Sequence, residues 1–347
     1  MTTSITPDTG TATELRLTAD EARQVSELTL RLAEKYPAAD DERLLQDLPL
    51  LTGGLPERVR RFLRAFSLDQ ARGFCTVSGH LVDDERIGAT PAHWKDERRI
   101  HHELPEEILV LLYGSLLGEP FGWATQQDGH LVNDVFPIRE YERALLGTGS
   151  RTPLTLHTED AFHPYRADYI LLSSLRNPDS VPVTVAEADF SVLPDDVVDV
   201  LFQSRFRIVP DTSHLPENNT VRTEEDRLVF ENVARLVDGL GLVPVLSGSR
   251  SRPLLCFDAT HMSAPPEDVE AVRAFAAAAE LLDAHLTDCA LEAGSCVFMN
   301  NHRVVHSRTA FEARYDGTDR WLKRVNVTHD LRKSGAMRRS PGSRLIG

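Results

Sequence analysis

What the chain lacks narrows it first. It has only four cysteines in 347 residues, Cys75, Cys256, Cys289 and Cys296. They show no C-x-x-C spacing and no dense pattern, which excludes a disulfide-stapled scaffold. No apolar run approaches the ~20 residues of a membrane span. Residues 1–13, rich in Thr, Ser, Pro and Gly, lack the apolar centre of a signal peptide. The expectation is a cytoplasmic protein whose thiols are free and buried. A positive excess is missing too: 53 acidic residues face 38 basic ones, a formal charge of −15. That argues against nucleic acid or an anionic membrane as partner and leaves a small molecule. There is no internal repeat and no low-complexity array. Regular βα alternation with a Gly-rich first turn, the mark of a doubly wound nucleotide-binding fold, is absent as well.

What is present is a series of short strand signals with helices grouped outside them. Thr18 followed by Glu21 is a capping-box pattern, with Ala22, Val25, Leu28 and Leu32 at helical spacing behind it. Helices are expected over 56–71, 106–117 and 194–202, and from Pro265 onward. Strands are expected over 73–79, 131–138, 169–175, 181–186, 206–209, 253–258, 295–300 and 320–329. The polar, aperiodic stretch 210–226 reads as a lid, because a loop that long in a compact protein is usually functional. The expected organisation is a disordered tail over 1–14, one domain over 15–333 and a frayed basic tail over 334–347. The expected fold is α+β with a mainly β core, a double-stranded β-helix (jelly roll, cupin-like) with flanking helices and a lid loop.

The chemistry centres on Leu156-His157-Thr158-Glu159-Asp160-Ala161-Phe162. In a strand, residues two apart share a face, so His157 and Glu159 would converge. Alone this is a weak signal, since a bonded strand histidine beside a surface carboxylate gives the same tripeptide. His306, far along the chain, supplies a third ligand. Two His and one carboxylate leave other metal positions open, the arrangement of non-heme Fe(II) oxygenases. Arg320 adds a forked cation suited to a carboxylate co-substrate, and Arg324 follows on the same strand face. A zinc hydrolase would leave Arg320 without a purpose, and a non-catalytic cupin-like binding protein would have no use for the triad.

With these residues the chain resembles the clavaminate synthase-like Fe(II)/2-oxoglutarate oxygenases. Within them it is most similar to the viomycin- and streptothricin-type arginine β-hydroxylases and the lipopeptide asparagine hydroxylases. The resemblance rests on the His157–Phe162 motif, the segments 122–129 and 315–330, and Glu rather than Asp as the carboxylate ligand. It implies His157, Glu159 and His306 as ligands of Fe(II), with 2-oxoglutarate and O2 as co-substrates. It gives Arg320 and Thr184 to 2-oxoglutarate, and Gln127 and Arg324 to the amino and carboxylate groups of a free L-amino acid. Asp258 is implied at the side-chain cation. Two acidic positions of the arginine enzymes are filled here by Thr260 and by Thr212 in the lid, with Asp211 and His261 nearby to compensate. The implied reaction is C3 (β) hydroxylation of L-arginine or a related basic amino acid in natural-product, including antibiotic, biosynthesis. Lysine, ornithine, enduracididine and asparagine stay open as substrates.

Overall fold

The computed structural model describes residues 13–69, 72–96 and 102–347; most of the expected N-terminal tail lies outside them. Two sheets organise the chain. The larger runs Glu14–Arg16, Phe74–Ser78, Cys296–Asn300, Tyr169–Arg176, Trp321–Thr328, Glu119–Trp123, Leu345–Ile346, with Val132–Val135 also paired to Trp321–Thr328. The smaller runs Leu286–Cys289, Val183–Glu187, Val304–Arg308, Leu154–His157, and all its pairings are antiparallel.

Side-chain alternation decides what each face of the larger sheet covers. Along Tyr169–Arg176, Tyr169 and Leu171 join a core beneath the helices, whereas Ile170 and Leu172 join one shared with Val183, Val185 and Val304 of the smaller sheet. Neighbouring strands repeat the division: Phe298 and Val325 face the helices, Val297 and Leu322 the other sheet. Covered on both faces, Tyr169–Arg176 is an almost unbroken buried run. The helical side is built from Ala19–Lys35, Glu42–Leu51, Glu57–Leu68 and Leu104–Leu117. The last of these is buried on most of its circumference and is correspondingly apolar all round. A further core lies under Asp195–Leu201 and Val269–Asp283. The architecture is therefore mixed sheets with flanking helices.

The capping box forms as the sequence indicates: Glu21 N–H donates to Thr18 Oγ1 at 3.3 Å, and Thr18 N–H to Glu21 Oε2 at 2.8 Å. Three regions depart from expectation. The stretch 210–226 is not structureless. It holds two short 3-10 turns, Thr212–His214 and Pro216–Asn218, before a second capping box, Thr223 with Asp226, opens the helix Glu224–Leu240. That helix sets Val233 and Val237 into the third core. The end of the chain is not frayed: Leu345–Ile346 pairs in parallel with Glu119–Trp123, and Ile346 is buried. The strand expected over 320–329 starts at Trp321, with a register shift between Trp321 and Leu322. The shift sends Trp321 into a separate cluster with Trp94 and Phe136, where its indole donates to Asp134 at 2.7 Å.

All four cysteines are free; Cys256 is only half-buried. Among the described residues, no helix is long and apolar enough to cross a membrane.

Candidate metal centre and substrate pocket

The smaller sheet contributes the histidines. His306 is the register partner of both His157 and Val185. Residues opposed across a ladder share a face, so both imidazoles point the same way, their centroids 4.2 Å apart. Glu159 arrives differently from the strand alternation expected of it. The strand ends at His157, and the following turn is held by Asn301, a residue whose part was not legible in the sequence. Glu159 N–H donates to Asn301 Oδ1 at 2.7 Å, while Asn301 Nδ2 donates to Glu159 O at 2.9 Å and Ala167 O at 3.0 Å. Asp160, next in the chain, takes a positive φ of 50°. The turn brings Glu159 Oε2 to 3.2 Å from His306 Nε2 and 3.9 Å from His157 Nε2.

These three donors lie within 4.8 Å of one another, so a single ion can touch all of them. His157 Nδ1 sits 2.8 Å from Thr155 O; a proton there leaves the Nε2 lone pair for a metal. Burial alone would push the Glu159 carboxyl up, but Arg324, His306 and His157 outweigh it and hold the group well below the usual carboxylate range. Burial and the neighbouring His157 push His306 down, keeping it neutral. A carboxylate and two imidazoles form the donor set that a divalent iron requires.

The larger sheet contributes the arginines. Arg320 is buried, its Nε has no partner, and among the described residues no carboxylate pairs with it. Burial, with Arg308 adding like-charge repulsion, pushes its guanidinium down to about 9. Arg308 is satisfied by main-chain carbonyls, among them Thr152 O at 2.7 Å and Thr309 O at 3.2 Å. Arg320 is thus a buried cation in want of an anion, and a dicarboxylate co-substrate such as 2-oxoglutarate fits that want. Arg324 is engaged within the site. It pairs with Glu159 Oε1, donates to Gln126 Oε1, and reaches Asn133 Oδ1 at 3.0 Å.

Both sets line one cavity of about 130 Å³, which also takes in Asp258, Thr260, His261 and Asp211. Asp258 is buried; its Oδ1 accepts from Thr260 N–H at 2.8 Å and His261 N–H at 2.7 Å, and its Oδ2 lies 3.1 Å from His261 Nδ1. Burial pushes Asp258 up, yet His261 and His157 prevail and keep it ionised.

Three expected residues stand elsewhere. Thr184 is on the opposite face from Val183 and Val185 and donates to Asp288 Oδ1 at 2.9 Å, away from the cavity. Thr212 turns its hydroxyl towards Leu145 O, at 3.4 Å, and the neighbours Asp211 and Ser213 line the cavity instead. Gln127 reaches the cavity wall, but both ends of its amide are bonded to Asp134, donating to its carbonyl at 2.7 Å and accepting from its N–H at 2.9 Å. Gln126 is the amide that meets Arg324, and it also donates to Ser213 Oγ at 2.8 Å. Thr260 lines the cavity and shares a 2.7 Å bond with Thr155. His214 anchors the segment after strand Arg207–Ile208. Fully buried, it lies 2.8 Å from Asp160 Oδ1 and 2.8 Å from Thr125 Oγ1, while Trp123 donates to the other Asp160 oxygen at 2.5 Å.

Residues 196–326 match the family of taurine catabolism dioxygenase TauD and TfdA, a span that holds His306, Arg320 and Arg324. The chain is 40% identical to an L-ornithine/L-arginine 3-hydroxylase of Catenulispora acidiphila, over 96% of this chain and 99% of the relative. It is 37% identical to an enduracididine beta-hydroxylase of Streptomyces hygroscopicus, with the same coverage. Among solved structures it superimposes on the non-heme iron oxygenase OrfP in complex with Fe, succinate and (3S)-hydroxy-L-Arg. That match has a TM-score of 0.93 and 51% identity, covering 96% of this chain and 99% of that one. OrfP with Fe and alpha-ketoglutaric acid matches at 0.87 and 48%, covering 96% and 100%. With its donor set, its free buried arginine and these relatives, the chain belongs to the TauD/TfdA family and is an Fe(II)/2-oxoglutarate-dependent dioxygenase of the hydroxylase kind.

Proposed function

We propose that the enzyme hydroxylates a free basic L-amino acid, L-arginine or L-ornithine first, at C3. The observation that carries this is Asp258: a buried, ionised carboxylate in the same cavity as the His157–Glu159–His306 cluster. Its Oδ1 accepts two backbone N–H groups and its Oδ2 meets only a titratable histidine, so a substrate's cationic side chain is the charge partner that suits it. The relatives that act on ornithine, arginine and enduracididine support the same choice. Lysine and asparagine, substrates named for more distant relatives, are the alternatives.

In this reading His157, Glu159 and His306 would hold the iron, and Arg320 would pair with the distal carboxylate of 2-oxoglutarate. Bound iron and 2-oxoglutarate supply the oxidising power for C–H hydroxylation with O2. The protein's part is aim and exclusion of water. Arg324 receives the substrate carboxylate, and Gln126 turns it toward the cavity. Asp258 holds the far end of the substrate, and a cation tied at both ends presents one carbon to the metal. Residues 210–226 act as a lid, Asp211 and Ser213 facing the substrate. The two sheets form the double-stranded β-helix that surrounds such a site. Free cysteines suit a cytoplasmic setting.

The test is an amino-acid panel of arginine, ornithine, lysine, enduracididine and asparagine with Fe(II), 2-oxoglutarate and O2, read by product mass and NMR. Arginine or ornithine should gain one oxygen at C3. Turnover of asparagine alone would overturn the assignment.

A further inference from the structure

The side-chain end of the cavity carries a feature that the metal chemistry leaves unused. His261 Nδ1 lies 3.1 Å from Asp258 Oδ2 and 4.0 Å from Asp211 Oδ2. One carboxylate belongs to the wall, the other to the segment read as a lid. The root of that segment is fixed to the same residue, for Val209 N–H donates to His261 O at 3.0 Å. Asp258 Oδ1 is filled by two backbone N–H groups, so Oδ2 is its remaining face, and His261 occupies it.

Resting on the basic-substrate reading above, we infer that His261 is a specificity-determining and positioning residue, an internal cation that stands between Asp258 and Asp211 until the substrate's guanidinium or ammonium displaces it. Charged, the imidazole bridges the two carboxylates and holds the lid root against the wall. Neutral, it leaves two anions facing one space, and a monocationic side chain is drawn in. The charged groups facing the ring are Asp258 from its own segment and Asp211 from the lid. Both raise its proton affinity above the ordinary histidine value, with the Asp258 bond the larger cause. The same arrangement suits a basic-substrate pocket to which Thr260 and Thr212 bring no charge. Two carboxylates remain, and one histidine sets when they are available.

The competition predicts a direction. Below the imidazole's pKa the competent fraction shrinks, and one unit below it the apparent KM for a basic amino acid rises about tenfold. The experiment measures KM and kcat for L-arginine or L-ornithine across about pH 6 to 8.5, for the wild type and for His261→Asn, which keeps a donor but cannot charge. The expected result is a wild-type KM that falls as pH rises, and a variant whose KM is flat and lower at the acid end, with the change in KM rather than kcat. A variant with the wild-type slope overturns the inference. The wild type alone also tests it, since a flat KM overturns it whether or not the variant folds. If the wild type turns over no basic amino acid but does hydroxylate asparagine, the substrate reading fails and the inference with it. Basic-substrate turnover with an unchanged profile defeats the inference only.

Discussion

Arg320→Met isolates the role of the one arginine lining the cavity that, among the described residues, has neither a carboxylate nor a carbonyl to satisfy it. A 2-oxoglutarate carboxylate seated on its fork would make two charge-assisted hydrogen bonds. At about 1.5–3 kcal/mol each, these amount to about 3–6 kcal/mol. At 1.4 kcal/mol per decade, that is a loss of about 10²–10⁴ in 2-oxoglutarate affinity. Because Arg320 is 5% exposed and Arg308 is its like-charged neighbour, the same change removes an uncompensated buried charge. A thioether of similar length in its place should leave the co-substrate-free protein at least as stable as wild type. The assay is twofold: KM for 2-oxoglutarate by succinate release at saturating amino acid, and thermal melting with and without 2-oxoglutarate. The variant should lose the 2-oxoglutarate-dependent rise in Tm. A KM within threefold of wild type, or a melting shift that survives, would refute the assignment of Arg320.

His306→Ala removes one of three donors and should abolish iron-dependent hydroxylation while far-UV circular dichroism stays native; retained turnover would sink the triad. His80 gives a pH test away from the site. Burial pushes it down to about 4, its ring nitrogens meeting Tyr113 Oη at 2.7 Å and Gly294 O at 2.8 Å. A histidine depressed on folding is protonated more readily when unfolded, so stability is full above its unfolded value and falls as pH drops from about 6.5 to about 4. At about 1.4 kcal/mol per unit the loss is about 3 kcal/mol. Urea titrations of wild type and His80→Gln should show the acid limb shallower in the variant by about that amount, and identical limbs would contradict it.

Much of the frame was readable because its signals are local. The Thr18/Glu21 box, the helix expected over 106–117 and the strands expected over 73–79 and 169–175 each lie where the sequence places them. The meeting of His157, Glu159 and His306 was readable for another reason: two histidines, a carboxylate and a following arginine are an uncommon set whatever fold brings them together. Harder were the positions where one residue decides a face. Gln126 and Gln127 are adjacent and chemically identical, and only the kink at Gln127 and Asp128, both with positive φ, tells them apart. Thr184 misleads because a β-branched polar residue suits either side of a strand, and its apolar neighbours had already taken the inner one. The helix Glu224–Leu240 escaped notice because it opens inside a stretch read as a polar loop, although Val229, Val233, Leu236 and Leu240 stand at helical spacing. Leu345–Ile346 is too short to announce itself, and an edge elsewhere in the chain makes it a strand. Lys323 gives no sequence sign of its fate, fully buried against Glu103, Glu107 and Asp134.

The buried His214–Asp160 pair has a bearing on redesign. Asp160 follows Glu159 directly, so the segment from 210 onward is riveted, side chain to side chain, to the residue next to Glu159 rather than draped over it. Replacing the whole segment with one from a relative would, unless His214 came along, leave Asp160 to Trp123 alone, and stranding a buried acceptor costs about 1–3 kcal/mol. The rivet divides the segment into parts with separate freedom. Asp211, Ser213 and Asn218 look into the cavity and can be varied one at a time to alter the amino acid accepted, while His214 stays as the fixed point of any such library.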